Sequence, residues 1–146
     1  MKFSKPKLMK SLISSICLLT FLSTNVFAQM SISTNLRQDF TWDYENEEWS
    51  LTSTDEEELT FFEFNKDFTM FKHTTASLTS AYMIKSMEED KEREQWELDI
   101  ISDIGNNYLM IIDFNNENVR FISDSESDSY LVKHVIKSVW FDEEDE

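Results

Sequence analysis

The chain has 146 residues, with 29 Asp and Glu against 13 Lys and Arg, for a formal net charge of −16. Such an excess of negative charge repels phosphates, which excludes nucleic acid and anionic lipid surfaces as partners. Phe, Trp and Tyr make up 14% of the residues and recur in alternating runs, so the composition is that of a folded domain rather than a charged disordered chain.

At the N-terminus, Lys2, Lys5, Lys7 and Lys10 precede an apolar run from Leu12 to Leu22, and Val26-Phe27-Ala28 follows. A basic region, a short apolar core and small residues at the −3 and −1 positions predict a secretory signal peptide over 1–28. The mature chain then begins at Gln29 and is exported to the periplasm or the extracellular space. Ile16 stands where a lipid-attachment motif needs a small residue, which argues against lipidation of Cys17. The remaining 118 residues, 29–146, form one domain carrying 29 acids and 9 bases, a net charge of −20. They hold no cysteine and no proline, so packing alone stabilises the fold and the turns are built from Asn, Asp, Ser and Lys.

The next stretch, "RQDFTWDYENEEWSL", reads as a hairpin turning through Glu45-Asn46-Glu47, with Phe40, Trp42 and Tyr44 on one strand and Trp49 and Leu51 on the other. In "ELTFFEFNKDFTMFKHT", a three-residue loop Asn65-Lys66-Asp67 is expected to set Phe64 against Phe68 and Leu59 against His73. "SAYMIKSMEEDKEREQW" mixes strand alternation with helical composition. It is read as a strand with a charged turn near Asp90.

Gly105, the only glycine, lies in "DIGNNYLMIIDFNNENVRFIS" among acids and amides. Neither placement of this glycine in a calcium loop leaves oxygen ligands in the required slots, so the stretch is read as a turn. A loop of Gly105-Asn106-Asn107 sorts the flanking strands, with Ile104 facing Tyr108 and Leu98 facing Phe114. A second loop, Asn115-Asn116-Glu117-Asn118, sets Phe114 against Val119. On the far face of this meander Asp113 falls beside Arg120, and Ile101, Ile111 and Ile122 form a row that packs under another element or meets a partner.

"DSESDSYLVKHV" is a partial calcium-loop match: Asp124, Glu126 and Asp128 alternate correctly, but Ser129 holds the glycine slot and Val135 the last position. "SYLVKHVIKSVWF" is read as a strand on its β-branched content, and the Asp142–Glu146 tail as solvated charge.

Eight or nine antiparallel strands in hairpins predict an all-β domain, a meander-rich sandwich or barrel. No nucleophile motif, metal motif, phosphate loop or cofactor signature is present. His73 and His134, the two histidines, lie far apart and alternate with apolar neighbours, as sheet residues at a core margin do. The expected function is therefore a non-enzymatic binding or inhibitory module. Its acidic residues Asp124, Glu126 and Asp128 would steer it toward a basic exported protein or a divalent cation, and Ile101, Ile111 and Ile122 would make contact. Two alternatives remain: a barrel carrier of a small apolar ligand, and a carboxylate-based hydrolase.

Overall fold

A computed structural model describes residues 28–123 and 129–143. The expected signal peptide therefore lies almost wholly outside the described residues, as do Asp124, Glu126 and Asp128. Among the described residues eight strands run in chain order: β1 (Ala28–Asp43), β2 (Glu48–Phe64), β3 (Met70–Thr74), β4 (Thr79–Asp90), β5 (Gln95–Ser102), β6 (Asn107–Asp113), β7 (Asn118–Ser123) and β8 (Tyr130–Glu143). Each pairs antiparallel with the next, and β8 returns to β1, so the sheet closes into a barrel. Closure leaves one face of every strand inside, which is why the apolar period is two throughout. The expected all-β antiparallel domain is the observed fold, and the two ambiguous segments are the strands β4 and β8.

Three turns share one design without glycine. Asp43, Asp90 and Asp113 each end a strand, and each carboxylate accepts a backbone N–H two or three residues on. Four turn residues follow in each case, and the last of them, Glu47, Glu94 or Glu117, takes a positive φ of 52°, 55° or 56°. Glutamate supplies the positive φ in these three turns, with the aspartate at the strand end holding the turn. Gly105 (φ 90°) sits in the turn between β5 and β6, where its N–H donates to Ser102 O at 2.9 Å.

Pairing between β5, β6 and β7 keeps the expected faces but not the expected partners. Ile100 faces Tyr108 and Leu98 faces Met110, a slip of four residues, and Ile112 faces Val119, a slip of two. Even slips preserve which side chains point inward, and the buried row Trp96, Leu98, Ile100, Met110 and Ile112 results. The β2–β3 hairpin slips by three, and here the faces change. Phe64 meets Phe71 and Phe62 meets His73, because the loop runs from Asn65 to Thr69 and not from Asn65 to Asp67. Asn65 Oδ1 accepts the N–H groups of Thr69 and Met70, and Phe68 (φ 54°) folds back into the core instead of pairing. The odd slip turns His73 from the margin into the interior.

The two ends of the barrel differ. At the end holding the β2–β3, β4–β5 and β6–β7 turns, Phe64, Phe68, Trp96 and Phe114 form a ring-on-ring plug with centroids 4.7–6.2 Å apart. The other end carries the β1–β2, β3–β4 and β5–β6 connections, and among the described residues it holds a cavity instead of a plug.

Candidate functional site

The unplugged end holds a cavity of about 410 Å³. Phe121, His73 and His134 form its inner surface, and Tyr82, Tyr108, Tyr130 and Val132 its wall. The β3–β4 loop residues Thr75, Ser77 and Leu78 also line it, and Arg37, which pairs with His134 across β1 and β8, completes the lining. The strands deliver these side chains by simple alternation: Tyr130, Val132, His134 and Ile136 occupy every second position of β8, and His73 follows Phe71 on β3.

Two flat stacks shape the interior. His73 lies on Phe62 with centroids 4.3 Å apart and planes 13° from parallel, and Tyr82 lies on Phe71 at 4.8 Å and 10°. The two histidines meet edge to face at 5.3 Å. Tyr130 Oη donates to Tyr108 Oη at 3.3 Å.

Behind His134 stands Glu57. Its Oε1 lies 2.8 Å from His134 Nδ1 and accepts the Thr34 hydroxyl at 3.0 Å, with both ring and carboxylate nearly withdrawn from water. A carboxylate reaches this position because three strands lose regularity at one level. Thr34 pairs with Thr60 but Leu36 pairs with Glu56, so Glu57, Glu58 and Leu59 stand against Asn35 alone, and Leu59 takes φ 53°. On the other side of β1, Lys137 is the extra residue, between the pairings of Ser33 with Ser138 and Thr34 with Ile136. Bulges re-aim side chains in this way.

The charge states follow from burial and neighbours. Burial alone would raise the Glu57 carboxyl, but the hydrogen bond and charge of His134, with help from Thr34, hold it below its ordinary value. Burial, and then the charge of His134, push His73 down to about 4, so it is neutral at pH 7, and its buried Nε2 has no hydrogen-bond partner. Burial and the neighbouring Tyr108 raise Tyr82, and burial with the Tyr108 hydrogen bond raises Tyr130 to about 12. At neutral pH those two phenols keep their protons. Arg37 Nε donates to Asp39 at 3.0 Å, which anchors the guanidinium beside the cavity.

The residues singled out from sequence fall elsewhere. Asp124, Glu126 and Asp128 lie outside the described residues. The row of Ile101, Ile111 and Ile122 is not formed: Ile101 faces Asn107, Ile111 lies between Glu97 and Arg120, and Ile122 between Leu109 and Leu131. The register slips of four and two residues are the cause. The Arg120–Asp113 pair does form, at 3.1 Å, with Gln95 as a further acceptor for Arg120. His73 and His134, read as separate margin residues, are in contact inside the barrel. Arg37, Glu57 and the three tyrosines went unmarked. The tyrosines carried a usable signal, since a hydroxyl on a buried parity position needs a partner or a wet cavity.

Among the described residues no three His, Cys, Asp or Glu side chains gather as metal ligands. The chemistry on offer is recognition: flat aromatic walls, hydroxyl donors, a neutral imidazole, a carboxylate-held imidazole and one guanidinium. No protein-family model, curated protein or solved structure matches the chain.

Proposed function

We propose that the protein is an exported carrier that holds one small organic molecule in the unplugged end of its barrel. The observation that carries this reading is the cavity of about 410 Å³, lined by Phe121, three tyrosines and two histidines in a barrel plugged at the opposite end. Its volume falls within the roughly 300–1,000 Å³ of small-molecule sites, and an eight-stranded barrel is wide enough for one such ligand. The lining is amphipathic, with phenols and imidazoles between Phe121 and Val132, so the ligand carries polar groups as well as an apolar body. Export rests on the N-terminal pattern, and β1 begins at Ala28, one residue before the expected mature start. The acidic-module reading rests instead on Asp124, Glu126 and Asp128, and the cavity gives it no support.

Native mass spectrometry of protein purified from its own host tests the carrier reading. A retained small molecule, lost in a Val132→Trp variant that fills the cavity, is the expected result. Protein that carries no ligand, and binds none from a fluorescent apolar probe set, overturns it.

A second reading has one observation in its favour. Glu57 Oε1 lies 2.8 Å from His134 Nδ1 and orients the ring as a carboxylate orients a general base, and His134 faces the cavity. Turnover of the retained molecule, abolished by His134→Gln, would establish it.

A further inference from the structure

We propose that the molecule held in this cavity is a planar aromatic carboxylate, its ring against the aromatic lining and its carboxylate at Arg37. The inference rests on the carrier reading and specifies its ligand.

The chain has 29 acidic residues in 146, yet no lining residue of the cavity is Asp or Glu. Two nearby carboxylates are already engaged, Asp39 with Arg37 Nε and Glu57 with His134 and Thr34. The lining itself therefore adds no carboxylate to oppose a bound anion. Arg37 is its only fixed cation. A guanidinium presents five N–H donors in a planar fork, and Asp39 engages Nε alone, so donors remain for a bidentate carboxylate.

The lining is also rich in stacked rings. Tyr82 on Phe71 and His73 on Phe62 are stacked pairs whose planes lie within 13° of parallel, and Tyr82 and His73 both line the cavity. Flat walls favour a flat ligand, whose ring gains contact area without losing rotamer freedom. Hydrogen bonding points the same way. The Tyr130 proton is given to Tyr108, but Tyr82 holds its own and His73 is neutral with an unpartnered Nε2, so the wall offers polar groups to a carboxylate or ring oxygen.

The test is isothermal titration calorimetry on protein purified from its host, with three probes that share one ring system: naphthoate, naphthylmethanol and naphthylmethylammonium. Naphthoate is expected to bind at least about tenfold more tightly than either other probe, the scale of one charge-assisted hydrogen-bond pair. Arg37→Gln should erase that preference while naphthylmethanol binding persists, and Arg37→Lys should retain part of it. The double variant Arg37→Gln/Asp39→Asn separates loss of the fork from exposure of Asp39, and should bind naphthoate as weakly as Arg37→Gln. Equal binding of all three probes, or a preference that survives Arg37→Gln, overturns the carboxylate assignment and leaves the carrier reading standing. Absence of binding by every probe overturns both.

Discussion

Glu57 Oε1 and His134 Nδ1 lie 2.8 Å apart across the barrel wall, one on a bulged stretch of β2 and the other on the inner face of β8. Seventy-seven residues separate them in sequence. The contact exists because β1, between them, sets Asn35 alone against three residues of β2 on one side and faces an extra residue, Lys137, on the other. It links the wall of the cavity to the irregularity that shapes the sheet.

Breaking this pair from one side should be costly. Glu57→Ala leaves His134 Nδ1 buried without a partner, and a loss of about 1–3 kcal/mol is expected in urea unfolding. Replacing both members with apolar residues, as in Glu57→Leu/His134→Phe, should recover most of that loss, since removing both partners of a buried hydrogen bond leaves no polar group unsatisfied. Recovery of stability without recovery of ligand binding would show that the pair is kept for the cavity.

Stability should fall with acid in two stages. The folded state holds His73 at about 4 against an ordinary 6.5, so between these values the unfolded chain takes a proton that the folded chain refuses. That contribution is complete above pH 6.5 and is lost as pH falls toward 4, at up to about 1.4 kcal/mol per pH unit. Glu57 is shifted downward from 4.5, so its contribution is present above 4.5 and is lost as pH falls below it. Urea midpoints measured between pH 7 and pH 5 should decrease, and His73→Phe should flatten the curve over that interval.

The glutamates at positive φ are a reserve of stability. A non-glycine residue in the left-handed region costs roughly 1–2 kcal/mol, of which glycine's greater unfolded freedom offsets about half. Glu47→Gly, Glu94→Gly and Glu117→Gly should therefore each stabilise the barrel by about 0.5–1 kcal/mol, read as a rise in thermal midpoint. Gly105→Ala should do the reverse by a similar amount. A new Cβ there meets nothing within 4 Å, so the cost would be the φ of 90° alone.

Trp42 and Trp49 face each other across the β1–β2 hairpin, edge to face at 5.2 Å. An aromatic pair of this geometry contributes about 0.5–1.5 kcal/mol beyond its area. Trp49→Ala should lower stability by about that amount at least, remove the exciton couplet in circular dichroism, and leave ligand affinity unchanged, because neither ring lines the cavity.

Much of the fold was legible in the sequence because strand alternation is a local property. Trp96, Leu98 and Ile100 on β5 and Met110 and Ile112 on β6 declare their inward face by period two, and any register slip by an even number preserves that face. Where the slip was odd, at Asn65–Thr69, the alternation misled, because Phe68 left the pattern to plug the barrel end. The sequence by itself determined the all-β class, the antiparallel order of the strands, the acidic surface and the side of each strand in β5, β6 and β7 that is buried. Only the tertiary structure decided register, closure and the cavity. Partners at the barrel seam are chosen by how β1 and β8 meet around a filled interior, and no window of neighbouring residues contains that constraint. The meeting of His73, His134 and Glu57 depends on it, as does Arg37's place in the cavity lining.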